Sequence, residues 1–171
     1  SDYLLKDWMK EAKREDIRYG LRHIAFNPSE PMTDEQLAAF AERICMELSA
    51  DPDRMTLVIH QKDGSTHGHL LLPEWQDDHV LSSRFSWQRP EKIARLEEIQ
   101  LGHALVAGRH YHAIAKALRA AGNHDASARI SALAPQDGAA RPIAPYTSQA
   151  HRLTDRQAFD LPTTRRENLS F

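Results

Sequence analysis

Apolar residues return every three or four positions over residues 2–16, at Leu4, Leu5, Trp8, Met9 and Ala12. That spacing predicts an amphipathic helix. Residues 19–26, YGLRHIAF, alternate loosely and are rich in aromatic and β-branched side chains, which predicts a strand. NPSEP at 27–31 breaks it. Thr33 then stands three residues before Gln36, the spacing of a capping box. Leu37, Phe40, Ala41, Ile44 and Leu48 give the following helix a continuous apolar stripe. MTLVIHQ at 55–61 reads as a buried strand and THGHLLL at 66–72 as its partner. Asp63-Gly64 supplies the hairpin turn between them. Residues 73–90 read as irregular, with one short strand at 80–85. Residues 91–121 are helical in pattern, with a break expected near Gly108 and a C-cap at Gly122. A short helix follows at 124–133. From 135 to 171 the chain is rich in Pro, Thr, Gln and Arg and poor in large apolar residues. That stretch is expected to be an extended or partly disordered tail with one helical turn. The order of elements predicts an α+β domain over 1–134, with a mainly antiparallel central sheet covered by helices.

Composition narrows this picture without changing it. A length of 171 residues suits one domain. Apolar content of 41% and charged content of 27% suit a soluble globular chain. No apolar run approaches the ~20 residues that span a bilayer, and no secretory signal is seen. Cys45 is the only cysteine, so no internal disulfide can form, which favours a reducing cytoplasm. Net charge is −2 overall but is split along the chain. Residues 1–79 carry 9 Lys/Arg against 16 Asp/Glu, and residues 80–171 carry 13 against 8. An acidic isoelectric point can therefore coexist with a basic face.

The candidate chemistry lies in HQKDGSTHGH at 60–69, which holds three of the ten histidines. Residues two apart in a strand share a face, so His67 and His69 point the same way. The hairpin places His60 opposite one of them. Three imidazoles can then converge on a metal and leave positions open for water or substrate, as catalytic metal sites do. His23 is expected on the neighbouring strand and can line the same sheet. His110 and His112 lie two apart in a predicted helix and so diverge. His79, His124 and His151 read as surface residues.

HQKDGSTHGHLLL resembles the three-histidine motif of plasmid relaxases, mobilisation nucleases of the HUH endonuclease superfamily. HIAFNPSEPMTDEQLAAFAERI resembles the segment that precedes that motif, and the likeness spans roughly residues 1–125. It implies a relaxase-like fold in which His60, His67 and His69 hold one divalent ion (Mn, Mg or Zn). It implies metal-dependent nicking and rejoining of single-stranded DNA in plasmid conjugation, with a tyrosine as nucleophile. Tyr3, in DYLLK, resembles the nucleophile segment. Tyr19 opens a strand, Tyr111 lies on a helix, and Tyr146 lies in the tail. RFSWQRPEK offers Arg84, Trp87, Arg89 and Lys92 as nucleic-acid contacts, by stacking and by charge. Arg165 and Arg166 add tail cations. The expected partners are single-stranded DNA and other transfer-complex proteins, in the cytoplasm and not at a membrane.

The chain departs from the family pattern at three places. The family's first strand has no counterpart before Tyr3, so the fold is expected to lack it or the chain to be a fragment. Lys62 stands where an acidic residue is usual, and Pro73-Glu74-Trp75 where an asparagine is common. These differences keep an alternative open: a catalytically degenerate relaxase-fold module that binds DNA or a partner protein without cutting. A small-molecule phosphoesterase with water as nucleophile is a third reading.

Overall fold

The computed structural model describes residues 2–62, 65–84, 86–133 and 165–170. Among the described residues, five α-helices and four strands follow in the order α1 (Asp2–Arg14), β1 (Leu21–Asn27), α2 (Asp34–Leu48), β2 (Thr56–Lys62), β3 (Ser65–Pro73), α3 (Gln88–Leu101), α4 (Tyr111–Ala120), α5 (His124–Ser131) and β4 (Arg165–Ser170), with one 3-10 turn at Pro52–Arg54 before β2. The sheet order is β2-β3-β1-β4. β3 pairs antiparallel with both β2 and β1, while β4 joins β1 in parallel. The chain is thus α+β with a mainly antiparallel sheet. The segment expected as a tail supplies the fourth strand at Arg165–Ser170. The rest of it, with Tyr146 and His151, lies outside the described residues, as does the Asp63-Gly64 turn.

Local chemistry explains the best-formed helix. The Thr33 hydroxyl accepts from the Gln36 amide at 3.2 Å, and the Gln36 side chain accepts from the Thr33 amide at 2.8 Å. Two donors that the helix cannot satisfy internally are thereby satisfied. Asp34 and Glu35 add favourable charge in the first turn. Leu37, Phe40, Ala41, Ile44 and Leu48 of α2 are all buried. They form one core with Ile24, Phe26, Leu70 and Leu72 of the sheet and Ile93 and Ala94 of α3. Phe26 meets Phe40 edge to face, with ring centroids 5.1 Å apart, the arrangement ring quadrupoles favour. A second, smaller core joins α4 and α5 to Leu96 and Ile99 of α3.

One face of the sheet is therefore covered by α2 and α3. α1 contacts the two middle strands, β1 and β3. Its buried residues Trp8 and Ala12 belong to neither core. By elimination, α1 packs over part of the opposite face.

Two ionic features hold the frame. Arg22 of β1 is wholly buried and donates to both oxygens of Glu74, at 3.0 and 2.9 Å. It also donates to the Leu81 and Ser82 carbonyls at 3.1 Å. Glu74 is thus the internal counter-ion that lets an arginine occupy a buried position on a central strand. The second feature moves the expected helix break from near Gly108 to Gly102. α3 ends at Gly102, whose φ of 71° allows a left-handed C-cap, and the helix resumes only at Tyr111. The loop between is pinned to α3. Glu98 accepts from the Val106 amide at 3.1 Å, Arg95 donates to the Val106 carbonyl, and Glu91 accepts from the His110 amide at 3.1 Å. The short strand expected at 80–85 is reduced to a single bridge, Trp75 with Val80.

Candidate functional site

Strand alternation and register build the site. β2 and β3 pair with His60 opposite His67 and Val58 opposite His69. β1 and β3 pair with Ala25 opposite His69 and His23 opposite Leu71. With a period of two, His60, His67, His69 and His23 all emerge on the face that α2 and α3 do not cover. Leu57, Ile59, Leu70 and Leu72 point the other way, into or against the core. Four imidazoles from three adjacent strands thus share one patch. His60 is exposed and the other three are half-buried. Nearby on the same face, Val58 is 46% exposed.

The rings lie close to one another. His60 is 5.8 Å from His67 and 4.9 Å from His69, centroid to centroid. His23 is 5.0 Å from His69, and its Nε2 lies 2.8 Å from His69 Nδ1. Two imidazoles on one tetrahedral ion, with metal–nitrogen bonds of about 2.0–2.1 Å, would have centroids about 5 Å apart. The observed spacing suits that. The ring orientation does not yet: His60 is stacked on His69 at an interplanar angle of 20°. Among the described residues, no three His, Cys, Asp or Glu side chains form a ready-made metal site.

Gly68, between His67 and His69, has a packing role. It sits on the core side, opposite Phe26 of β1 and Ile59 of β2. A Cβ there would lie 2.1 Å from two atoms of the Phe26 ring. Its backbone is not in the left-handed region, so space alone demands glycine. The Phe26 ring fills the volume under the two histidines and supports the strand that carries them.

The other expected residues are placed differently. Tyr3 lies in the first turn of α1, the helix that packs on the histidine side of the sheet, but its side chain is 83% exposed, with the Lys6 ammonium 6.0 Å from its ring centroid. No packing therefore fixes where its hydroxyl points. Arg89 and Lys92 of α3 both approach Glu47 of α2, at 3.5 and 2.7 Å. Their charge is partly balanced, and they belong to the helical layer behind the sheet. Arg84 is exposed, and Trp87 is half-buried where α3 begins. His79 and His124 are exposed. The Asp78 carboxylate, which accepts a hydrogen bond from the His79 ring, raises the pKa of His79 above the usual histidine value. Burial pushes the Cys45 thiol up to about 12, which makes it a poor nucleophile.

Sequence reasoning missed the contact between His23 and His69. The pairing of β1 with β3 sets it, and no local motif encodes that register. It also missed Glu74 as the partner of Arg22, although a lone arginine at a buried-pattern position in a strand is a usable signal. Among the described residues, no helix is long and apolar enough to cross a membrane. Comparison of the chain with protein-family models, curated proteins and solved structures returned no match.

Proposed function

We propose that the chain is a relaxase-like HUH nuclease domain that nicks and rejoins one strand of DNA during plasmid or mobile-element transfer. The observation that carries this reading is the patch of His60, His67 and His69 on one hairpin, on the sheet face that α2 and α3 do not cover. His60, His67 and His69 would hold a divalent ion (Mn, Mg or Zn), which when bound polarises the scissile phosphate and offsets its developing charge. The Tyr3 hydroxyl gives up its proton and attacks phosphorus. The bond from phosphorus to the 3′ oxygen breaks, and that oxygen leaves as a 3′-hydroxyl with a proton. The product is a 5′-phosphotyrosine, and the reverse attack rejoins the strand. Trp87 and Arg84 offer stacking and charge to single-stranded DNA. On this reading the protein works in the cytoplasm with other transfer-complex proteins as partners.

The second reading, a relaxase-fold module that binds DNA or a protein without cutting, draws on two observations. Lys62 brings a cation next to the histidine hairpin in sequence, and the exposed Tyr3 is not held in place. One experiment separates the readings. The protein is incubated with labelled single-stranded DNA and manganese, denatured, and examined for a covalent adduct. An adduct that disappears in Tyr3→Phe and in His67→Ala is the expected result. DNA binding with no adduct and no cleavage supports the second reading. Cleavage with no adduct points to hydrolysis by water and ends the proposal for Tyr3.

A further inference from the structure

The fourth histidine has a defined place in this patch. The register of β1 on β3 sets His23 diagonally across from His69 on the same face. The two rings lie 5.0 Å apart at 32°, and His23 Nε2 is 2.8 Å from His69 Nδ1. A neutral imidazole carries one N–H and one lone pair. A nitrogen-to-nitrogen hydrogen bond therefore has two possible directions, with opposite consequences. If His23 donates, His69 must carry its own proton on Nε2, and that nitrogen cannot bind a metal. If His69 donates through Nδ1, its Nε2 keeps a lone pair on the other side of the ring.

We infer that His23 is the positioning residue of the histidine patch: it accepts the Nδ1–H of His69 and so presents the His69 Nε2 lone pair as a metal ligand. This rests on the reading of the patch as a metal site. A ligating histidine needs an acceptor for its other N–H, and that partner fixes ring tautomer and orientation. The His23 imidazole has a lone pair to offer. The backbone under His23 suits the task. Its neighbours Arg22 and Ile24 are both wholly buried, the first locked on Glu74 and the second in the main core. β1 is also a middle strand, paired on both sides. An acceptor mounted there is held more rigidly than one on a loop.

The test has two parts, neither of which needs DNA cleavage. In metal-free protein, ring ¹⁵N–¹H NMR reports which ring nitrogen of His69 carries the proton. The Nδ1–H form is expected in the parent protein, with loss of that preference in His23→Phe. An Nε2–H tautomer in the parent protein overturns the inference. Cobalt(II) is then titrated into the parent protein, His23→Phe and His23→Gln. His23→Phe is expected to bind about 10- to 100-fold more weakly. His23→Gln, whose amide oxygen can accept the same N–H, should recover most of the loss. Urea unfolding of both variants checks that the fold is intact. Unchanged affinity in His23→Phe overturns the positioning role, as does a cobalt spectrum showing His23 itself as a ligand. A parent protein that binds no cobalt removes the metal site altogether, and with it this role. A preserved cobalt site without DNA cleavage leaves His23 in place and rejects only the nuclease reading.

Discussion

Gly68→Ala should destabilise the protein through a single aromatic ring. The new Cβ would stand 2.1 Å from Cε2 and Cζ of Phe26 and 2.8 Å from Cε1. Carbon atoms rest about 3.5–4.0 Å apart, so the ring or the strand must move by roughly 1.5 Å. Phe26 is 2% exposed and its edge contact with Phe40 fills the space beyond. Overpacking of this kind costs about 1–3 kcal/mol, and the entropy gained by replacing a strand glycine returns about 0.5–1 kcal/mol. At about 2–4 °C per kcal/mol for a chain of this size, the midpoint of thermal unfolding falls by several degrees. Phe26→Ala alone leaves a cavity and costs about 3–5 kcal/mol. In the double variant the methyl introduced by Gly68→Ala enters space the ring has vacated. The combined loss should then be smaller than the sum by about 1 kcal/mol or more, well beyond the ~0.5 kcal/mol scatter of independent sites. Urea unfolding followed by circular dichroism measures the parent, the two single variants and the double variant. Additive losses across the four proteins would refute the packing account.

Three further outcomes follow from the buried charges and the thiol. Glu74→Ala leaves Arg22 charged and unpaired in the core, so urea unfolding should show a loss of about 3–5 kcal/mol, while Arg22→Met with Glu74→Leu loses far less. Burial raises the Glu98 carboxyl from 4.5 to about 7 despite the opposing pull of Arg95. Folding therefore favours its protonated form: the contribution is full below pH 4.5 and is lost as pH rises through 7. The parent protein should lose about 1–3 kcal/mol more than Glu98→Gln between about pH 5 and 8, and equal slopes would contradict the assignment. Cys45, buried and with its pKa pushed to about 12, should resist iodoacetamide in native buffer and react fully in urea; rapid labelling of folded protein would show that the core opens there.

Legibility from the sequence tracked locality. The cap of α2 and its apolar stripe depend on residues within a few positions of one another, and they appear where the pattern put them. The β2–β3 hairpin is equally local, and His60 indeed stands opposite His67. The break between α3 and α4 falls earlier than the pattern suggests, because Gly102 and Gly108 weaken a helix alike. What selects Gly102 is the clamp that Arg95 and Glu98 place on Val106, a tertiary effect. A Cβ at Gly108 would fall 1.9 Å from the Glu91 carboxylate, so that glycine serves close packing against α3. His23 beside His69 and Arg22 beside Glu74 both depend on how β1 settles against distant strands. Alternation tells which face a side chain takes but leaves the partner open. The role of the candidate site lies further still from the sequence pattern, because ring tautomers and hydroxyl directions are set by neighbours in space.

The parallel pairing of β4 with β1 carries a consequence in time. Arg22 meets Arg165, and Asn27 meets Ser170. During synthesis β1, β2 and β3 are all complete long before the residues of β4 leave the ribosome. Through that interval the outer edge of β1 presents unpaired amides and carbonyls, a template for any strand that reaches it first. Closing so long a loop is also slow. A neighbouring nascent chain can donate its own copy of that strand during the delay, so crowding on a single messenger should favour swapped dimers over monomers.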